Sequence, residues 1–159
     1  MSLEKHLNDQ LNREFFSAYA YLDMAAYFDA QGFKGFAAWM KAQSKEEMDH
    51  VQKFYAYINE RGGSVALKGC AAPVRKWKTA EEVFKAALKH EKAITQNITD
   101  LVDEAIKAKD HAAHAFLTWF ITEQVEEEAQ LNDILFQFGM IGDSKVALLM
   151  LDKELGRRQ

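Results

Sequence analysis

Residues 41–60, KAQSKEEMDHVQKFYAYINE, decide how the chain is read. Gln43, Glu47, His50, Phe54 and Tyr57 step by four and three, the spacing that lines up one face of an α-helix. Phe36 and Met40 extend the same stripe upstream. A glutamate and a histidine thus stand in the middle of a stripe that otherwise suits an apolar core. A carboxylate inside a helical core is costly unless something cationic meets it.

Three more segments repeat the pattern. One carries Leu7, Leu11, Glu14, Ala18, Tyr21, Ala25 and Phe28; the next Phe84, Ala87, Glu91, Ile94, Ile98, Leu101 and Ala105; the last Leu117, Phe120, Gln124, Glu127, Leu131, Ile134 and Phe138. Each is a core-facing stripe with one glutamate near its middle. The spacing predicts helix A over about 3–30, ended by Gln31-Gly32, and helix B over about 34–60, ended by Arg61-Gly62-Gly63. Thr79 with Glu82 has the form of a capping box opening helix C, which reaches about Lys109. Asp110 caps helix D, ending near Phe138-Gly139, and Asp143 or Ser144 opens a short fifth helix to about Leu155. The expected architecture is all-α: an antiparallel four-helix bundle over about 3–139 and a fifth helix over about 143–155, in one domain spanning 1–159.

Short A–B and C–D turns make those pairs antiparallel neighbours. Glu14 lies 18 residues before Gly32 and Glu47 15 after it; Glu91 lies 19 before Asp110 and Glu127 17 after it. At about 1.5 Å rise per residue, partners sit within roughly 5 Å in depth. The 17-residue segment Gly62–Lys78 can span about 56 Å, while a helix as long as B measures about 40 Å. It can return along the whole bundle and leave B and C parallel.

The remaining composition narrows the function. The chain has 159 residues, 48% hydrophobic, with net charge -4 and no basic run, so nucleic acid is not an expected partner. No apolar run approaches the roughly 20 residues of a membrane helix, and MSLEKHLNDQ does not read as a signal peptide. The single cysteine, Cys70, excludes an intramolecular disulfide and a cysteine-based zinc site. A cytoplasmic location and no membrane partner are the expectations.

Glu14, Glu47, His50, Glu91 and Glu127 form an oxygen-rich ligand set with one imidazole. Such a set suits a pair of iron or manganese ions better than copper or structural zinc. The competing reading is that each glutamate lies at a stripe edge and reaches water; four at matched depth beside a histidine favour the metal. Gln124 can add a carbonyl oxygen or hydrogen-bond a ligand. Glu46, Glu123 and Glu126 adjoin these residues and read either as a second cluster or as a solvated face. Tyr21 reads as a hydrogen-bond donor to a ligand, an electron donor or a core tyrosine, and Trp119 as a core residue before a redox one. His6, His90, His111 and His114 lack paired-ligand spacing and read as surface or satisfied histidines. The apolar run Val146–Leu151 in the fifth helix must pack on the bundle end or on other subunits; subunit contacts are the favoured reading.

The stretches NREFFSAYAYL, KEEMDH, KHEKAIT and WFITEQVEEE, with the long crossover and short last helix, resemble the bacterial non-haem ferritins over essentially the whole chain. Ferritin-like carboxylate bundles are the type case of this architecture. The resemblance implies a ferroxidase centre. Glu14, Glu47 and His50 match the ligands of a first iron; Glu47, Glu91 and Glu127 match those of a second, with Glu47 bridging and Gln124 nearby. Glu46, Glu123 and Glu126, sharing Glu127, match a third iron site, and Tyr21 and Trp119 fall beside the centre. It further implies oxidation of Fe(II) by O2 or H2O2 and storage of ferric mineral in a homo-oligomeric shell of 24 subunits. The alternative is a peroxide-reducing di-iron redox enzyme without storage; a non-catalytic metal-binding scaffold is disfavoured by ligands on all four helices. Met48 stands where bacterioferritins ligate haem. Those proteins carry a second Glu-x-x-His where this chain has Gln124-x-x-Glu127, so haem is not expected and Met48 reads as a packing residue.

Overall fold

The computed structural model describes residues 2–158. Five helices follow one another: α1 (Leu3–Gln31), α2 (Lys34–Glu60), α3 (Ala80–Lys107), α4 (His111–Ile141) and α5 (Lys145–Leu155). The architecture is an all-α four-helix bundle with a short fifth helix, as the stripes predict. Helix α4 runs three residues past the expected Phe138, through Gly139, because Phe138 still packs in the core there and Gly142, at φ 56, takes the turn instead.

Helix pairs α1–α2 and α3–α4 are each joined by a tight turn. Gly32 (φ 83) closes the first, its N–H bonded to the Asp29 carbonyl, and the left-handed region it occupies is one glycine enters without strain. In the second, Asp110 accepts from the Ala113 N–H and so caps α4. Arg61, just past α2, holds Asp110 with both guanidinium nitrogens at 3.0 and 2.9 Å, fixing the end of α2 beside the start of α4. Thr79 caps α3 through the Glu82 N–H as expected, while the Glu82 carboxylate reaches back one residue further, to the Lys78 N–H at 2.6 Å.

The crossover is clasped rather than loose. Asn8 and Asn12, one turn apart on α1, hold alternate residues of the extended segment. Asn8 donates to the Ser64 carbonyl and accepts from Ala66 N–H; Asn12 donates to the Ala66 carbonyl and accepts from Lys68 N–H. Further on, Arg75 grips Asp23 and Trp77 packs edge-on against Tyr27. These contacts carry the chain along α1 to the other end of the bundle, where α3 begins parallel to α2.

The core divides in two. Phe28, Phe36, Phe84 and Phe138 centre one apolar cluster, with Leu151 of α5 packed against it. Leu11, Phe54, Ile98 and Leu117 belong to the other. Between them lies a buried polar layer of Glu14, Gln43, Glu47, His50, Glu91, Gln124 and Glu127. Two apolar plugs exclude water from the charged groups they enclose.

The fifth helix docks on its own bundle. Leu151 is buried and Leu148 and Leu155 pack on the cluster, while Val146, Leu149 and Met150 stay exposed. The single apolar run seen in the sequence thus splits into an outward face and a face on the bundle end, the second being the less favoured of the two expected placements. Asp152 Oδ1 accepts from the Phe36 N–H at 2.8 Å, capping α2 from a distance where its own N-cap position, Phe33, has no side-chain acceptor.

Candidate metal centre

Each bundle helix supplies one carboxylate to the buried layer because each stripe places a glutamate where its neighbours are apolar. Glu14 and Glu91 are fully buried, and Glu47 and Glu127 nearly so. His50, one turn after Glu47, sets Nδ1 3.1 Å from Glu47 Oε2 and 3.6 Å from Glu14 Oε2. Oxygen or nitrogen atoms of Glu14, Glu47 and His50 lie within 4.8 Å of one another, close enough to share one ion.

Three buried glutamines orient the carboxylates. Gln10 Nε2 donates to Glu14 Oε1 at 2.6 Å, Gln43 Nε2 to Glu127 Oε2 at 2.7 Å, and Gln124 Nε2 to Glu91 Oε2 at 3.0 Å. Tyr21 donates to Glu91 Oε1 at 2.5 Å. Neutral amide and phenol donors fix the carboxylates while leaving the layer's negative charge intact. Glu14 Oε2 and Gln43 Oε1 are buried and have no hydrogen-bond partner among the described residues. Orphaned buried acceptors of this kind are what a bound cation and its water would satisfy.

The electrostatics agree. Burial pushes the Glu47 carboxyl well above the usual range, and the charges of Glu91 and Glu14 add to it. Burial, with Glu91 beside it, raises Glu127 to about 7 against the relief its Gln43 bond gives. For Glu14 burial also acts upward, but the nearby His50 and Glu47 side chains and the Gln10 amide outweigh it and hold the group low. Burial would lower His50, yet Glu14 and the other carboxylates around it raise it. The Tyr21 phenol is driven far up by burial and by Glu91, so it stays a donor. Such carboxylates share protons until cations replace them.

The second set divides. Glu123 joins His50 and Glu127 in a group within 4.8 Å. Glu46 is half-exposed and bound instead by Arg158 Nη2 at 2.7 Å, while Glu126 is exposed and belongs to neither group among the described residues. Trp119 departs from the core reading: it is 41% exposed, edge-on to His50 at 5.6 Å, with Lys53 Nζ 4.3 Å above its ring. His6 and His90 are satisfied as expected, by Glu104 and Ser17 at 2.6 Å each. Met48 packs against the second apolar cluster. Sequence reasoning placed Gln43 on the stripe without a role and passed over Gln10. The signal for Gln10 was there, a carboxamide one turn before a core glutamate.

The chain matches the model of the ferritin-like domain over residues 4–141. It is 42% identical over 157 residues to a bacterial non-heme ferritin of Staphylococcus aureus, spanning 99% of this chain and 95% of that protein. A probable bacterial non-heme ferritin-like protein of Haemophilus influenzae is 40% identical over 152 residues, spanning 96% and 92%. Among solved structures, an open pore ferritin from the archaeon Archaeoglobus fulgidus superposes with a TM-score of 0.97 at 44% identity, covering 99% of this chain and 97% of that one.

Proposed function

This chain belongs to the ferritin family, and from that membership we propose that its buried carboxylate layer is a ferroxidase centre serving an iron store. Fe(II) is the substrate. Glu14, Glu47 and His50 hold one ion; Glu47, Glu91 and Glu127 hold a second, with Glu47 shared between them. Gln124 and Tyr21 keep Glu91 in place. The observation that carries the reading is one buried carboxylate from each of four helices, enclosed between two apolar plugs. Four carboxylates held out of water are costly unless cations balance them.

Two ferrous ions at one centre supply two electrons together. O2 then goes to hydrogen peroxide, or hydrogen peroxide to water, with two protons consumed in either case. An anionic site binds Fe(III) more strongly than Fe(II) and so favours oxidation. Hydrolysis of Fe(III) releases protons and gives an oxyhydroxide mineral, kept in the cavity of a shell of 24 subunits in the cytoplasm. Glu46, Glu123 and Glu126, with Glu127, form a third iron position on the way from centre to cavity.

The test is to add a large excess of Fe(II) in air to the metal-free protein and measure iron eluting with the assembled shell. Iron far beyond the three named positions per subunit supports storage. A plateau at two or three per subunit would replace it with a peroxide-reducing di-iron enzyme.

A further inference from the structure

Among the described residues, Glu46 is the proposed third-position ligand that pairs with an arginine. Arg158 comes from the last turn of the chain, 112 residues away in sequence, and donates to Glu46 Oε2 at 2.7 Å. Its guanidinium carbon lies 4.7 Å from the centre of the Trp39 ring. Trp39 and Glu46 are seven residues apart, two turns along one face of α2, so the arginine lies along that face.

The fold delivers Arg158 there for identifiable reasons. Asp152 is bonded to the start of α2, and a Cβ on Gly35 would sit 1.6 Å from the Asp152 carbonyl oxygen, so α5 crosses α2 at backbone contact. Past Leu155 the turn continues through Arg157 N–H to Glu154 O and Arg158 N–H to Leu155 O. The tail is therefore aimed along α2 from a docked base.

We propose that Arg158 is a latch on Glu46: its guanidinium fills the place of a cation at the third position, and a metal ion entering there must displace it. The proposal rests on Glu46 being a ligand as assigned above. Two features make the latch releasable. The Glu46 side chain is 43% exposed, and ion pairs at that exposure are weak. Arg158 Nη1 is buried with no hydrogen-bond partner among the described residues, so docking leaves one donor unmet. A divalent cation with two or more carboxylates outcompetes such a contact. Release takes Arg158 off Trp39, so third-position occupancy is passed to the C-terminal tail, and the third position fills after the buried pair.

The experiment is titration of the assembled, metal-free protein with Zn2+, a redox-silent probe, by calorimetry. In Arg158→Ala the third equivalent tightens by up to about fivefold and the first two are unchanged. In a Glu46→Ala background the arginine substitution has no effect on any equivalent. With Trp77→Phe and Trp119→Phe leaving Trp39 as the only tryptophan, its selectively excited fluorescence changes on the third equivalent, and does not when Arg158 is also Ala. If Arg158→Ala titrates like the parent while Glu46→Ala loses the third equivalent, the latch is overturned and the ligand assignment stands. If Glu46→Ala keeps all three equivalents, both are overturned.

Discussion

Tyr21 and Glu91 face each other across α1 and α3, the phenol donating to Glu91 Oε1 at 2.5 Å in a fully buried setting. Gln124 donates to the other oxygen of the same carboxylate, so Glu91 is held from both sides before any ion arrives. Tyr21→Phe removes one of these donors at nearly constant volume. It should leave binding of two Zn2+ ions detectable while slowing the first turnover of Fe(II) oxidation about tenfold, the worth of one buried hydrogen bond. Stopped-flow absorbance during the first turnover is the check; a rate equal to the parent's would leave Tyr21 a packing residue.

Glu47 is the carboxylate shared by both proposed ions, and burial, with Glu91 and Glu14 beside it, disfavours its charge. Glu47→Gln should therefore act in opposite directions on function and stability. Oxidation should slow by more than the roughly 100-fold that loss of a ligand's outer partner costs. The metal-free protein at pH 7 should melt higher than the parent, yet gain less from added Zn2+. Melts with and without Zn2+ test both; a lower melting temperature in the metal-free variant would contradict the electrostatic account.

Glu127, raised from 4.5 to about 7, carries a pH signature. Because the folded-state value lies above the unfolded one, the native protein binds more protons in that window. Stability is therefore fully present below the unfolded value and falls as pH rises through the folded one. Metal-free protein should lose melting temperature between about pH 5 and 7.5, and Glu127→Gln should flatten that slope. An equal slope in the variant would place the titration elsewhere.

Gly35 meets the backbone of α5 at Asp152, where a Cβ would lie 1.6 Å from a carbonyl oxygen. Gly35→Ala should lift α5 from α2, uncap the Phe36 N–H and cost about 1–3 kcal/mol. Limited proteolysis within residues 143–158 should accelerate while the four-helix bundle keeps its helical signal. Truncation after Gly142 should weaken assembly, read by size-exclusion chromatography; an unchanged shell would show that α5 serves its own bundle only.

Asn8 and Asn12 hold the crossover by four backbone hydrogen bonds. Replacing both with Ala leaves the amides and carbonyls of residues 64–68 to water. Cleavage in that segment should rise and stability fall by about 2–4 kcal/mol, roughly 1 per bond lost. Unaltered hydrogen exchange over the segment would deny them the clasp.

Helix identity, the core stripes and the depth of Glu14, Glu47, Glu91 and Glu127 were legible in the sequence, because a period of 3.6 is local and writes itself every three or four residues. The parallel course of α2 and α3 was legible too, from loop length against helix length. Partnerships were not. Gln43 lies one turn before Glu47 yet bonds Glu127, 84 residues on, because the amide points across to α4 rather than along its own helix. Glu46 reads as a neighbour of the centre, but Arg158 claims it once α5 has folded back on α2. Trp119 fits an apolar context in sequence, yet its position on α4 leaves it half in solvent beside His50. The chain's own pattern determined four helices, their pairing and a buried acidic layer; only tertiary packing decided which donor holds each carboxylate and which of them a distant arginine takes, since those choices depend on side chains meeting across helices whose spacing no local period encodes.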